Sequence, residues 1–347
     1  MFLKRNPSNP ILEASADNDW EDQSVFNPAA VWHNNKCYLL YRAIGEYKYY
    51  ISRLGLASSS DGVNFQRESD KPVFEPGADF ERWAVEDPRL TKIEDSFYLT
   101  YTAISERILQ DGSPVIFREV PLEASVGLAV SKDLRHFDRL GPISLSRVDD
   151  KNAVLFPEKI NGRFVLLHRP QRWCQRWFEN PLSSEIDIPM PGTVKELPKL
   201  PSIWISYSDD LLNWNDHQLV LKPTHEHDHR IGAGAPPIKT EAGWLLIYHH
   251  VEDKTLNGKK RQRAYTAKMA LLDLNDPSKL IAQLPYDILE PEEWYEKKGD
   301  VENVVFPTGA FILKNTLFIY YGAADKYCCL ATVPLSEVLT ELNKHKL

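Results

Sequence analysis

The sequence predicts an all-β fold, and within that class a five-bladed β-propeller with its active site in the central channel. Three observations carry this expectation. A three-part pattern recurs five times along the 347 residues. Its apolar and aromatic runs are separated by Gly, Asp and Asn turns, with almost no helical periodicity between them. The aromatic-rich runs that begin near residues 37, 97, 164, 244 and 317 recur every 60 to 80 residues, a spacing that signals a propeller or other repeat array.

Each repeat opens with a short apolar segment that has Pro, Gly or a polar residue embedded in it. An aromatic-rich strand ending in a polar or charged residue follows, and then a Gly/Ala-led or Ser-rich strand runs into a turn. The first repeat occupies residues 25–31, 37–43 and 55–62, and the second 84–90, 97–103 and 127–134. The third lies at 152–158, 164–169 and 203–210, the fourth at 231–237, 244–249 and 267–274, and the fifth at 304–310, 317–325 and 330–334. Ser60-Asp61-Gly62 and Ser208-Asp209-Asp210 supply the left-handed and Asx chemistry that hairpin turns need. The expected organisation is one catalytic domain over residues 1–347, with long inserts at about 106–122 and 171–202 and a short C-terminal helix at about 335–345. Loops of such length in a compact fold are usually lids or oligomer contacts.

Composition narrows the function classes. Hydrophobic residues make up 43% and aromatics 11% of the chain, enough for a core, so global disorder is excluded. The net charge of −8 argues against a general nucleic-acid binder, which needs a basic face. The four cysteines (Cys37, Cys174, Cys328, Cys329) show no CxxC spacing and read as buried thiols of a reducing compartment. The N-terminal segment has no apolar core of a signal peptide, and no apolar run approaches the roughly 20 residues that span a bilayer. The expectation is a soluble cytoplasmic protein with no membrane partner.

In a propeller the innermost strands line the channel, and ligands bind at one mouth. Polar residues on the first two segments of each repeat should therefore converge. The first repeat contributes Asn27 and Arg42, and the second Glu86, Asp87 and Arg89. The third contributes Lys151, Glu158, His168 and Arg169, the fourth Arg230, Tyr248 and His249, and the fifth Asp325. Any one of these, His249 for example, also reads as a satisfied core side chain; all five repeats supplying one at a comparable place points to a site. An acidic protein that gathers Arg42, Arg89, Lys151, Arg169, Arg230 and His249 together implies an anionic ligand, and the planar fork of arginine suits phosphate.

Within Ala84-Val85-Glu86-Asp87-Pro88-Arg89-Leu90 two readings stand side by side: an ion-paired turn leading a strand, or a catalytic acid at the mouth of a β-structure. Trp83, Trp173 and Trp177 are candidates for stacking on a sugar, and equally for packing. The chain has no GxSxG, HExxH or P-loop, and Gly232-Ala233-Gly234 lacks the strand–turn–helix context of a dinucleotide site. His225-Glu226-His227-Asp228-His229 could bind a divalent metal, but nothing nearby completes a ligand set, and a solvated loop is the expected reading.

Several of these segments together carry a resemblance. Phe26-Asn27-Pro28, Tyr41-Arg42-Ala43, Glu86-Asp87-Pro88-Arg89, the run from Leu155 to Lys159, Leu167-His168-Arg169-Pro170, the run from Ile231 to Pro237 and the run from Tyr320 to Asp325 resemble glycoside hydrolase family 130, the β-mannoside phosphorylases and β-mannosidases. The match runs in order over essentially the whole chain. It implies a five-bladed propeller and an inverting reaction in which inorganic phosphate attacks C1 of a β-mannoside and releases α-mannose 1-phosphate. It implies Asp87 as the general acid, acting through the 3-hydroxyl of the bound mannose, and Asn27, Arg42, Asp325 and Arg230 as mannose-holding residues. Lys151, Arg169 and His249 are implied as the phosphate clamp. Arg89 is expected to orient Asp87, and Glu86 to contact substrate or support the site.

The resemblance implies no cofactor and no metal; phosphate enters as a co-substrate beside β-mannobiose or a short manno-oligosaccharide. Homo-oligomers are common among such proteins, although nothing in the sequence fixes an interface. Three features depart from the family pattern: His250 stands where glycine is usual, the loop before Ile231 is histidine-rich, and the insert at 171–202 could wall off the acceptor side. The alternatives are a β-mannosidase of the same family that uses water, with Glu158 or Glu226 as base, and a non-catalytic sugar-binding propeller. Linkage is not readable at this level.

Overall fold

A two-residue strand, β1 (Lys4–Arg5), precedes four sheets that follow one another along the chain and a fifth that β1 itself completes. The computed structural model describes residues 3–105, 124–179, 188–192, 196–255 and 261–347. Blade I is β2 (Ser24–His33), β3 (Lys36–Ile44), β4 (Ser52–Ser59) and β5 (Gln66–Arg67). Blade II is β6 (Ala84–Ile93), β7 (Ser96–Ile104), β8 (Ala124–Ser131) and β9 (Asp138–Pro142). Blade III is β10 (Asp150–Leu155), β11 (Phe164–Pro170), β12 (Ile203–Ser208) and β13 (Asn215–Leu221). Blade IV is β14 (Asp228–Ala233), β15 (Ile238–Thr240), β16 (Gly243–Lys254), β17 (Gln262–Leu272) and β18 (Leu280–Gln283), with β15 paired to β16. Blade V is β19 (Val305–Leu313), β20 (Thr316–Ala323) and β21 (Tyr327–Pro334), with β1 as its outermost strand. The protein is thus the five-bladed, all-β propeller that its repeats predict.

The core is a ring of interfaces between neighbouring blades. Leu40, Leu54 and Leu56 of blade I pack on Val85, Phe97 and Leu99 of blade II. Val126 and Leu128 meet Leu155 and Leu166 between blades II and III. Val154, Leu167 and Ile205 meet Ile231, Trp244 and Leu246 between III and IV. Leu245, Ile247 and Met269 meet Leu317, Ile319 and Tyr321 between IV and V. Leu39 and Ala30 meet Tyr320 and Leu330 where the ring closes. Middle strands are therefore buried on both faces, which is why they read as continuous apolar runs.

The outer turns are built by one local device. In blade I, Ser59 Oγ accepts the Gly62 N–H and Asp61 Oδ1 accepts the N–H groups of Val63 and Asn64. Ser131 and Asp133 repeat it in blade II, and Ser208 and Asp210 in blade III. A short polar side chain replaces the missing ladder bonds at the bend. The C-terminal helix is α3 (Leu335–Asn343), following α1 (Gln175–Phe178) and α2 (Trp294–Lys297); Val338 and Leu342 dock it on the blade IV–V core. The insert expected at 106–122 lies outside the described residues, as do 180–187 and 193–195 of the second insert.

Ring closure has a polar lock. Glu296 of α2 is fully buried and accepts from Arg5 Nε at 2.8 Å, Tyr321 OH at 2.8 Å and the backbone N–H groups of Glu292 and Glu293 at 2.8 and 3.0 Å. Removing Glu296 leaves the Tyr321 hydroxyl and two backbone N–H groups without their acceptor and Arg5 with only Glu292 and the Glu290 carbonyl. Glu296→Ala is expected to destabilise the protein by about 3–5 kcal/mol, read by chemical denaturation.

Candidate functional site

The innermost strand of every blade contains a register shift, and in three blades the shift holds a left-handed Asn or Asp. Asn27 (φ 48°) sits in the bulge between Phe26 and Ala29, Asp87 (φ 50°) in that between Glu86 and Arg89, and Asn152 (φ 54°) in that between Lys151 and Val154. A bulge re-aims a side chain, and Asn and Asp are the non-glycine residues that occupy this region most readily. Here all three side chains turn into the channel. The bulge of blade IV precedes Arg230, and that of blade V lies between Pro307 and Gly309. Asp325 follows β20 and is also left-handed (φ 49°).

These residues line one cavity of about 730 Å³ at the channel mouth. Its walls include Asn27, Arg42, Glu86, Asp87, Lys151, Asn152, Arg169, Arg230, His249 and Asp325, with Tyr47, Tyr50, Tyr265, Asp300 and Phe306. Nine of the ten residues given a site role with the resemblance meet there.

The tenth, Arg89, is a correction. It is 1% exposed and does not line the cavity; Nε donates to the Gly234 carbonyl at 3.1 Å and NH1 to the Asp87 carbonyl, while its guanidinium lies over the Phe306 ring. The two-residue step of the bulge sends it beneath the floor, where it braces blades II, IV and V. Three other residues grouped with the site lie elsewhere. Alternation along β11 places His168 between Asp150 and Ser206 (2.6 and 2.7 Å). Tyr248 bonds Gln283 on the outer side of blade IV. Glu158 pairs with Lys239 at 2.5 Å away from the cavity. Trp173 is core, packed against Trp204 and His217.

Asn152 is a wall residue that the sequence reading did not assign. Its signal was present: Asn27, Asp87 and Asn152 follow Phe, Glu and Lys at the same point of three repeats.

The cavity has two electrostatic halves. On one side Asp87 Oδ1 accepts from Asn27 Nδ2 at 2.7 Å and Arg42 NH1 at 3.1 Å. Arg42 also pairs with Glu86 Oε1 at 2.8 Å, and Glu86 Oε2 reaches Lys151 at 3.9 Å. Gly322 admits this arrangement, because a Cβ there would lie 1.8 Å from Asn27 Oδ1. Burial raises the Asp87 carboxyl, but the charges of Arg42, Arg89 and Lys151 and the Asn27 hydrogen bond outweigh it and hold it below the usual range. Asp325 goes the other way: burial, with the neighbouring charges of Asp87, Asp300 and Glu86, outweighs the attraction of Arg42 and pushes it up to about 7.

On the other side stand Arg169 and Arg230, and among the described residues neither has a carboxylate within ion-pair distance. Burial and the adjacent Arg230 bring Arg169 down to about 9. His249 is fully buried, and burial with Arg169, Arg89 and Arg230 around it keeps it neutral. Its Nε2 faces Arg169 NH1 at 3.2 Å and, being neutral, accepts that hydrogen bond. Arg230 donates to Tyr265 OH. Two cations that repel one another, Arg169 buried and Arg230 half-buried, with only the more distant Asp149 carboxylate acting on Arg169, form an anion site.

The histidine-rich loop is a folded turn at Asp228. Asp228 Oδ2 accepts the N–H groups of Thr224 and His225, and Oδ1 lies 2.7 Å from His250 Nε2. Asp228, His250 and Glu252 come close enough to suggest a metal, but the two carboxylates face opposite nitrogens of the His250 ring, Glu252 being 3.8 Å from Nδ1. That arrangement is a hydrogen-bonded Asp228–His250 pair with Glu252 and Asp287 standing near the other ring nitrogen.

The opposed shifts of Asp87 and Asp325 give a stability prediction. Asp325 holds its proton to a higher pH in the folded state than in the unfolded, so its burial costs stability progressively as pH rises from about 4 to 7. Asp325→Asn is expected to raise the melting temperature at pH 8, with the gain vanishing near pH 4. Melting curves at the two pH values check it.

Comparison with known proteins places this geometry. The family model for glycoside hydrolase family 130, described as beta-1,4-mannooligosaccharide phosphorylase, matches residues 2–344. The chain is 39% identical over 345 residues to a 1,2-beta-oligomannan phosphorylase of Thermoanaerobacter sp. strain X514, covering 97% of this chain and 98% of that one. It is 37% identical over 349 residues to a beta-1,2-mannobiose phosphorylase of the same strain, with the same coverage. The solved beta-1,2-mannobiose phosphorylase from Listeria innocua, in complex with beta-1,2-mannobiose, superposes with a TM-score of 0.76 at 26% identity, covering 99% of this chain and 100% of that chain. Matched by the family model over residues 2–344 and 39% identical to a family relative along almost its whole length, this chain belongs to glycoside hydrolase family 130.

Proposed function

We propose that the protein is an inverting β-mannoside phosphorylase that cleaves β-1,2-mannobiose or short β-1,2-manno-oligosaccharides with inorganic phosphate. The observation that carries this reading is the pair of cations Arg169 and Arg230, without an ion-pair partner among the described residues, facing a wall of carboxylates across one cavity. An inverting hydrolase needs a second carboxylate on the face opposite its acid, to activate a water. Glu158 and Glu226, the bases considered from sequence, do not line the cavity, and the carboxylates that do (Glu86, Asp87, Asp300, Asp325) stand on or beside the acid's half. A phosphorylase needs cations there, because phosphate is already a nucleophile and has only to be held and desolvated.

In this reading a phosphate oxygen, held by Arg169 and by Lys151 reaching from the acid's half, with His249 fixing the Arg169 fork, forms a bond to C1. Arg230, expected from the resemblance to hold mannose, stands beside Arg169 and is assigned here to phosphate. The C1–O bond to the leaving sugar breaks, and its electron pair stays on the glycosidic oxygen. Asp87 supplies the proton through the 3-hydroxyl of the mannose held by Asn27, Arg42 and Asp325. Arg42, Arg89 and Lys151 hold Asp87 ionised; a phosphate dianion against these cations offsets their field and raises its affinity for a proton. The acid is armed by its co-substrate. The products are α-mannose 1-phosphate and the shortened sugar.

The β-1,2 preference rests on the two relatives at 37 and 39% identity, both named for that linkage. The test offers β-1,2-, β-1,3- and β-1,4-mannobiose with phosphate and quantifies mannose 1-phosphate. Fastest release from the β-1,2 disaccharide is expected, and a faster reaction on another linkage overturns the assignment.

A further inference from the structure

The two halves of the cavity fix where the departing sugar must go. Nucleophile and leaving oxygen lie on opposite faces of C1 in an inverting displacement. With phosphate on the side of Arg169 and Arg230, the leaving sugar lies toward the opposite wall, which blades I and V build. Resting on the phosphorolysis reading, we infer that Tyr47 and Tyr50, held by Asp300, form the subsite for the sugar that leaves.

None of the three belongs to a repeat segment. Tyr47 and Tyr50 lie between β3 and β4, and Asp300 lies between α2 and β19. Asp300 joins them across the mouth: Oδ1 accepts from Tyr47 OH at 3.0 Å, and Oδ2 accepts from Ser24 Oγ at 2.7 Å and Tyr50 OH at 3.3 Å. Lys326 donates to Tyr47 OH at 2.6 Å and stands 3.6 Å from Asp300. The two tyrosine rings stack at 6.2 Å and 23°.

Two features separate this wall from ordinary packing. Tyr50 holds a left-handed backbone (φ 54°), a conformation that is unfavourable for a bulky residue and persists only where surroundings enforce it. It places the ring beside Arg42, 5.8 Å from the guanidinium, so the strained residue joins the mannose half to the rim. Tyr47 is 49% exposed although three polar groups fix its hydroxyl. Tyr50 stacks on the Tyr47 ring and the Lys326 ammonium lies 5.4 Å from its centroid, so what Tyr47 offers a sugar is an ordered, half-exposed aromatic edge beside a carboxylate that takes hydroxyls.

The test runs the reaction in the synthetic direction, with mannose 1-phosphate as donor and mannose or β-1,2-mannobiose as acceptor. Tyr47→Ala is expected to raise the acceptor KM roughly 10-fold, as loss of one aromatic contact does, while the KM for mannose 1-phosphate changes less than about two-fold. Tyr47→Phe keeps the ring and is expected to keep most of the acceptor affinity. Asp300→Asn, which loosens both tyrosines, is expected to act on the acceptor KM in the same direction as Tyr47→Ala. An active wild type whose Tyr47→Ala variant raises both KM values alike, or neither, overturns this assignment alone. A wild type that makes no disaccharide from mannose 1-phosphate overturns the phosphorolysis reading and this subsite with it.

Discussion

Asp87→Asn is expected to lower the rate of mannose 1-phosphate formation by roughly 10²–10⁴-fold, the range of general acid catalysis, while the KM for phosphate stays nearly constant. Asparagine keeps the size of the side chain, and its amide oxygen still accepts the Asn27 hydrogen bond seen at 2.7 Å. What it lacks is the proton. A substrate whose leaving group needs none, such as p-nitrophenyl β-mannoside, should recover much of the lost rate. Equal losses on both substrates would mean that Asp87 positions the mannose and protonates nothing.

Arg169→Ala is expected to raise the KM for phosphate by about 10²-fold, since a charge-assisted, forked hydrogen bond in a buried site contributes roughly 1.5–3 kcal/mol. The KM for the disaccharide should change little, because Arg169 sits in the cationic half. His249→Ala should act in the same direction through the Arg169 NH1 contact at 3.2 Å. The double substitution should then cost less than the sum of the two singles, as residues sharing one contact do. Initial rates over a phosphate series measure all three variants, and a strictly additive pair would separate the roles of His249 and Arg169.

Repeat logic reaches some of this chemistry and misses the rest for identifiable reasons. The five blades are legible because each buries its middle strand on both faces, leaving an apolar run at a regular interval. Asp87 is legible because a carboxylate pair set between apolar flanks needs a reason. Arg89, one turn of the same motif away, goes astray because the bulge between Glu86 and Arg89 breaks alternation, and no residue type announces a bulge. The same bulge, met three times, would have exposed Asn152 had Asn27 and Asp87 been compared by position. His168 and Arg169 look alike in sequence, yet strand alternation sends one toward Asp150 and the other to the channel. Tyr47, Tyr50 and Asp300 escape altogether, since loops between strands follow no period and meet only through the closure of the ring.

The central claim is that the cationic half receives phosphate and that water does not take its place. Omitting phosphate tests it most directly. With β-1,2-mannobiose, consumption should rise to saturation with phosphate, yield one mannose 1-phosphate for each mannose, and nearly stop when phosphate is removed. Release of mannose at the same rate without phosphate, and no mannose 1-phosphate with it, would contradict the account.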